Sequence, residues 1–149
     1  MLLIELLHLH GVRYLIVGGE AVIFHGHVRL TGHVDFFFDS TPENLERLHA
    51  ATSDFWDGDI PGRLTAKDFA RDGTVIQFGR PPNRIDLMNS IGPLTFEEVW
   101  PQRVEAVLAL ETRELPLPYI GLDGLIESKR AAGRPQDLTD LKFLTKQRR

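Results

Sequence analysis

The chain contains no cysteine, so disulfide bonds and thiolate metal sites are excluded, and any bound metal ion must be held by carboxylates or imidazoles. It also has no uncharged apolar run near the ~18 residues that a membrane-spanning helix needs. The apolar segment at residues 1–9 contains Glu5 and His8, and it lacks the basic region and small-residue cleavage site of a signal peptide. We therefore expect a cytoplasmic protein that does not partner with a membrane.

Internal repeats, low-complexity tracts and clear linkers are missing as well. With 149 residues, of which 42% are hydrophobic, the chain can bury one core but hardly two. We predict a single domain over residues 1–149. Strand-like and helix-like segments alternate with short connections, which predicts an α+β (mixed α/β) fold. Its expected form is a mixed β-sheet with flanking helices and a C-terminal helical segment.

Two of the predicted strands each carry one acid among apolar neighbours. Apolar runs predict buried strands at residues 14–17, 34–38 and 84–88. Asp35 lies in the second run and Asp86 in the third. A buried carboxylate without a partner costs several kcal/mol, so each should meet a cation or hydrogen-bond donors. The two acids converge on one cation if their strands are adjacent, or each pairs with an arginine such as Arg29 or Arg84.

Gly18 and Gly19 follow the first predicted strand, and a short helix is expected after them at residues 20–25. Glycines at the exit of a strand allow backbone N–H groups to approach an anion closely. This pair therefore predicts a phosphate contact. Further capping signals are Thr65 with Asp68 and Thr95 with Glu98, which are typical of helix N-termini.

The C-terminal part is basic and helical. Residues 129–149 hold seven Lys or Arg and two Asp, a net charge of +5, whereas the first 128 residues carry −9 of the overall −4. This asymmetry predicts either an anion contact or a solvated helix end. Helices are expected at residues 122–132, ending at Gly133, and at 137–146. Just before them, Pro116 and Pro118 predict that the segment 114–117 lies at a sheet edge.

Four segments in order, VGGEAVIFHG, RLTGHVDFFF, RIDLMNSI and LIESKRAAGRPQDLTDLKFL, resemble the minimal nucleotidyltransferase superfamily. The likeness extends over residues 11–144 and is strongest to small bacterial members related to toxin–antitoxin nucleotidyltransferases. It implies a nucleotidyltransferase-like fold and transfer of a nucleoside monophosphate from a nucleoside triphosphate to a hydroxyl acceptor on RNA, protein or a small molecule. Mg²⁺ or Mn²⁺ is the implied cofactor, and a cognate antitoxin or toxin is an implied partner.

The resemblance also implies roles for individual residues. Gly18 and Gly19 stand where the family cradles nucleotide phosphates, and Asp35 is the second acid of its metal-binding Asp-x-Asp pair. Asp86 corresponds to the third acid, on a neighbouring strand. The remaining matched positions are expected to contact phosphate, with Arg29 alternatively pairing with Asp35 or Asp86; they are Arg29, Thr31 and Lys129. For Asp137 and Asp140, charge–dipole stabilisation of the last helix is the expected role.

His33 is a departure from the family pattern, because it occupies the position of the first acid of the pair. Residues 33 and 35 share one face of a strand, so His33 can still be a catalytic metal ligand with Asp35 and Asp86. An imidazole is a poor ligand for Mg²⁺, which prefers hard oxygen atoms. Three explanations stay open: a degenerate enzyme that still binds nucleotide or a partner, a softer metal such as Mn²⁺ or Zn²⁺, or an engineered substitution.

Overall fold

The computed structural model describes residues 2–27 and 29–148, and these residues form seven α-helices around one six-stranded sheet. The helices are α1 (Leu3–Leu9), α2 (Gly18–Phe24), α3 (Pro42–Phe55), α4 (Ala66–Ala70), α5 (Phe96–Val99), α6 (Leu122–Ala132) and α7 (Pro135–Gln147). The strands are β1 (Tyr14–Val17), β2 (His33–Phe38), β3 (Val75–Phe78), β4 (Arg84–Met88), β5 (Val104–Ala109) and β6 (Glu114–Tyr119). The predicted α+β class is confirmed.

The sheet is mixed, with the strand order β3-β4-β2-β1-β6-β5. Strand β2 is parallel to β4, and β1 is parallel to β6, whereas the other neighbouring pairs are antiparallel. Because β1 runs antiparallel to β2, the carboxyl end of β1 lies beside the amino ends of β2 and β4. The loop that leaves β1 therefore comes close to the first residues of the two acid-bearing strands.

Both faces of the sheet are covered by helices, as the apolar runs of β1 and β2 require. Side chains alternate between the faces. Phe36 and Phe38 pack with α1, α3 and α4 on one face. Leu15 and Phe37 pack with α2, α5, α6 and α7 on the other. His33, Asp35 and Phe37 alternate with Phe36 and Phe38, so the polar end of β2 faces the side that carries the C-terminal helices.

The two capping pairs predicted from sequence are present at the N-termini of α4 and α5. The Asp68 carboxylate accepts a hydrogen bond from the Thr65 backbone at 2.7 Å at the start of α4, and Glu98 accepts one from Thr95 at 3.0 Å at the start of α5. Helix α6 ends at Gly133 in the left-handed region, with φ of 63°. Among the described helices, none is both long enough and apolar enough to cross a membrane.

The prediction that Pro116 and Pro118 keep the segment 114–117 at a sheet edge holds for that segment, which pairs only with β5, but not for the strand as a whole. They lie on β6, which sits between β1 and β5, and β5 forms that edge. An internal strand tolerates both prolines because β1 pairs with β6 only at Tyr119, beyond them. Gly18 and Gly19 also differ from expectation, since they form the first turn of α2 rather than preceding it.

Candidate functional site

The parallel pairing of β2 and β4 places Asp35 directly opposite Asp86. Both carboxylates face the side of the sheet that bears α6 and α7, and their side chains are 12% and 6% exposed. Two acids this close and this poorly hydrated repel each other unless a cation or donors compensate their charge. The convergence that sequence allowed, if the strands were neighbours, is therefore present in the structure.

His33 completes a three-residue cluster, which we call the His-Asp-Asp cluster: His33, Asp35 and Asp86. The Nδ1 atom of His33 is hydrogen-bonded to the Asp35 carboxylate and lies 3.6 Å from Oδ2 of Asp86. One potential ligand atom from each residue lies within 4.8 Å of the other two. Nitrogen and carboxylate oxygen atoms at this spacing can hold a divalent ion.

Burial dominates the electrostatics of Asp35. Loss of water raises the pKa of its carboxyl above the ordinary Asp value, and the neighbouring Asp86 charge acts in the same direction. The hydrogen bond and charge of His33 oppose this rise without cancelling it. The ionised form of Asp35 is therefore less stable in this site than in water, and a bound cation would stabilise it.

Arg84 is the protein's own cation at the cluster. Its Nε donates to Oδ1 of Asp86 at 2.9 Å, and its Nη2 donates to Oδ2 at 3.1 Å. Gln77, on the neighbouring strand β3, donates to the same Oδ2 at 3.4 Å. Of the two arginines considered as partners for the acids, Arg84 takes this place and Arg29 does not.

Gly18 and Gly19 lie against the same cluster, and packing requires both to be glycine. A Cβ atom on Gly18 would overlap the Asp35 carboxylate, and the backbone of Gly18 has φ of 64°. A Cβ atom on Gly19 would come within 2.7 Å of Oγ1 of Thr31. The glycines therefore allow the end of β1 to approach Asp35 and Thr31 closely, a role that is separate from any contact with phosphate.

Arg29 and Lys129 are already ion-paired, although sequence indicated phosphate contacts for them. Arg29 forms a two-pronged bond to Asp140, with distances of 2.9 Å from Nε and 3.1 Å from Nη2. Lys129 is buried and lies 3.1 Å from Asp137 and 3.2 Å from Asp140. Neither pairing was predicted, since the partners lie on α7, eight to 111 residues away along the chain.

Asp137 and Asp140 are buried anions rather than exposed acids at a helix start. Burial by itself would raise the pKa of both carboxyls, but hydrogen bonds from Arg134 and Lys129 to Asp137, and from Arg29 and Lys129 to Asp140, outweigh it and lower both pKa values. Asp137 also accepts from the backbone N–H of Arg134 at 3.1 Å, so it keeps the predicted helix-start role as well.

Apart from Asp140, these groups border one open cleft of about 700 Å³. The site residues predicted from sequence all line it: Gly18, Gly19, Arg29, Thr31, His33, Asp35, Asp86 and Lys129. No family model and no curated protein matches this chain. What the cleft does must therefore be argued from its own chemistry.

Sequence reasoning gave Gln77 no role and did not show which cations remain exposed in this cleft. Arg134 lines it with a side chain that is 75% exposed, and it bonds Asp137 through Nε at 2.8 Å. Its pKa is raised by this hydrogen bond first, and the charge of Asp35 adds to the effect, which places Arg134 within electrostatic reach of the cluster. Arg84 and Gln77 line the cleft too. The spacing Arg84-x-Asp86, which puts both side chains on one strand face, was the signal that pointed to Arg84.

Proposed function

We propose that this chain is a nucleotidyltransferase-like enzyme that transfers a nucleoside monophosphate from a nucleoside triphosphate to a hydroxyl acceptor. The observation that carries the proposal is the His-Asp-Asp cluster in an open cleft that is also lined by the exposed Arg134. A cleft of about 700 Å³ is in the usual size range for small-molecule sites, roughly 300–1,000 Å³. The resemblance in sequence to the nucleotidyltransferase superfamily supports the same assignment.

The residues present fit a divalent cation. His33 offers Nδ1, and Asp35 and Asp86 each offer carboxylate oxygen, with the buried position of Asp35 favouring a compensating charge. A divalent ion there would supply neutralisation of the charge on the phosphate oxygens and activation of the attacking hydroxyl. The proposal requires a divalent ion at this site, but it does not require the Mg²⁺ or Mn²⁺ that the family resemblance implies.

In the proposed reaction the acceptor oxygen forms a bond to the α-phosphorus, and the bond from that phosphorus to the oxygen bridging to the β-phosphate breaks. Pyrophosphate leaves, and the hydroxyl proton passes to water at the open mouth of the cleft. Arg134 is placed to neutralise phosphate charge at the rim. Gly18 and Gly19 leave the space beside Asp35 free of side chains. The chain acts here mostly by positioning and charge neutralisation.

A second candidate is a module that binds nucleotide or a toxin–antitoxin partner without transferring anything. The observation that favours it is the engagement of the site's charges with one another: Arg84 holds both oxygens of Asp86, and Arg29 and Lys129 are held by Asp140. Such internal pairing lowers the charge available to bind ligand. In this case the nucleotide would bind and no pyrophosphate would be released.

The experiment is a transfer assay with α-labelled nucleoside triphosphates, carried out with Mg²⁺, Mn²⁺ or Zn²⁺ and with tRNA, protein or small hydroxyl acceptors. Label on an acceptor and released pyrophosphate are both expected, and both should fall by at least about 100-fold in Asp86→Asn, since a metal ligand is lost. The matched control is Asp123→Asn, whose carboxylate pairs with Arg148 outside the cleft.

Equilibrium binding of the same nucleotides separates the two candidates. Binding with neither label transfer nor pyrophosphate under any of the three ions would establish the non-catalytic module. Absence of nucleotide binding in the wild-type chain, measured by calorimetry up to millimolar concentration, would rule out both the enzyme and the nucleotide-binding module.

A further inference from the structure

Arg84 and the cluster are parts of one local arrangement on strand β4. Arg84 lies two residues before Asp86 and opposite His33 across the β2–β4 pairing, so all three side chains share one face of the sheet. Its guanidinium group bonds both oxygens of Asp86, at 2.9 and 3.1 Å. An arginine forked onto a carboxylate is a strong and geometrically specific pairing.

This pairing has a direct consequence for cation binding. Oδ2 of Asp86, the oxygen 3.6 Å from Nδ1 of His33, is also the oxygen bonded by Nη2 of Arg84. A metal ion between His33 and Asp86 would have to share or take that oxygen. The two carboxylates of the cluster carry two formal negative charges, and Arg84 offsets one of them. The net charge of these three side chains is therefore one negative charge rather than two.

A site with so little negative charge is poorly suited to Mg²⁺, which binds through hard oxygen ligands and gives up its water reluctantly. The nitrogen of His33 is instead a good ligand for borderline transition metals, whose affinity for nitrogen-containing sites far exceeds that of Mg²⁺. Zinc bound at about 2.0–2.2 Å to nitrogen and oxygen needs neighbouring ligand atoms about 3.3–3.6 Å apart in a tetrahedral site. The 3.6 Å between Nδ1 of His33 and Oδ2 of Asp86 is close to that spacing.

We propose that the His-Asp-Asp cluster takes a transition-metal divalent ion of the Zn²⁺ class in preference to Mg²⁺, and that the ion binds in exchange for Arg84 at Asp86. Arg84 is thus an internal counter-ion that occupies the metal's place, and His33 is the residue that decides the metal. The inference rests on the proposed cation site but not on nucleotide transfer.

The test is calorimetric titration of the tag-free chain with Zn²⁺, Mn²⁺ and Mg²⁺ in the absence of nucleotide. Zn²⁺ is expected to bind at least about 100-fold more tightly than Mg²⁺, since it favours nitrogen ligands. In Arg84→Gln, Zn²⁺ affinity is expected to rise on the order of tenfold, because the competing guanidinium is gone. The matched control is Arg80→Gln, an exposed arginine in the β3–β4 turn that does not line the cleft.

Two further variants make the assignment specific. Asp86→Asn should abolish the tight Zn²⁺ site, which shows that the signal does not come from the other histidines. His33→Asp should shrink the Zn²⁺ to Mg²⁺ preference by at least about tenfold, because an oxygen ligand replaces nitrogen.

Circular dichroism of every variant confirms that it is folded. The proposal is overturned if a folded Arg84→Gln binds Zn²⁺ no more tightly than the wild-type chain, or if the wild-type chain binds Zn²⁺ no better than Mg²⁺. The outcome of the transfer assay is independent of the outcome of the metal titration. Zinc binding with the expected variant pattern but no transfer contradicts the proposed function alone, whereas transfer supported by Mg²⁺ and unchanged in Arg84→Gln contradicts the metal exchange alone.

Discussion

At position 18 the chain requires a residue without a side chain for two independent reasons. The backbone there is in the left-handed region, with φ of 64°, and the space that a Cβ atom would fill is taken by the Asp35 carboxylate. Left-handed backbone costs a non-glycine residue about 1–2 kcal/mol. The overlap with Asp35 adds to this cost and acts on a ligand of the proposed metal site.

We predict that Gly18→Ala lowers the free energy of unfolding by more than the backbone term alone, by about 3 kcal/mol, and weakens divalent metal binding. The matched control is Gly11→Ala, because Gly11 has φ of 68° with no atom within 4 Å of its would-be Cβ. Urea denaturation measures the stability of both variants, and calorimetry measures their metal affinity. Equal stability losses in the two variants would show that the contact with Asp35 is unimportant.

Among single side chains, Asp140 has the most consequential set of partners. It is fully buried and accepts hydrogen bonds from Arg29, from Gln136 at 3.1 Å and from Lys129, and Nδ1 of His27 lies 3.0 Å away. These groups come from α6, α7 and the segment that leads from α2 to β2. Asp140 therefore joins three parts of the chain at one carboxylate.

Asp140 lies on helix α7, and its carboxylate connects this helix to residues that line the cleft. The inner face of α7 is anchored by Asp137, Asp140 and Leu144, all buried. Lys129 of α6 bridges the first two, and Arg29 connects α7 to the segment that carries Thr31. The position of one wall of the cleft thus depends on buried ion pairs as well as on apolar packing.

We predict that Asp140→Asn lowers the free energy of unfolding by about 3 kcal/mol, because it leaves the partly buried Arg29 and the buried Lys129 short of a counter-charge. Asp123→Asn, which breaks an exposed pair with Arg148, should cost less than about 1 kcal/mol. Hydrogen exchange should increase at residues 24–27 and 29–31 and in α7 only for the first variant. Similar stability and exchange in both variants would contradict the anchoring role of Asp140.

For the whole molecule, these buried carboxylates predict a dependence of stability on pH. The pKa values of Asp137 and Asp140 are lower in the folded chain than the ordinary value of 3.8. Their stabilisation is therefore complete above pH 3.8 and is lost as the pH falls through the lower folded values. Below pH 3.8 the unfolded chain binds more protons than the folded chain, so stability decreases on acidification.

We predict that between the folded pKa values and pH 3.8 each of these two groups contributes a slope of up to about 1.4 kcal/mol per pH unit to the free energy of unfolding. Urea denaturation at a series of pH values measures the total slope. In Asp140→Asn the slope should be smaller, whereas in Asp123→Asn it should match the wild-type chain. A wild-type slope retained in full by Asp140→Asn would exclude Asp140 as a source of the acid sensitivity.

Local sequence signals were enough to predict most of the helices and strands and the α+β class. Capping pairs such as Thr95 with Glu98, the glycine that ends α6 and the apolar runs of β1 and β2 act through local backbone geometry and side-chain alternation, which a single segment can specify. The sequence also singled out several of the residues that line the cleft, since chemically distinctive side chains stand out among apolar neighbours.

The pairing of charged side chains, in contrast, depends on the tertiary structure. The register of β2 on β4 puts Asp35 beside Asp86, and the packing of α7 pairs Arg29 and Lys129, which line the cleft, with Asp140. The tertiary structure also placed β6 between β1 and β5, although β1 does not pair with the segment that holds Pro116 and Pro118. The physical reason is that a charge interacts with whatever packing brings within a few ångströms, and Arg29 and Asp140 are 111 residues apart along the chain.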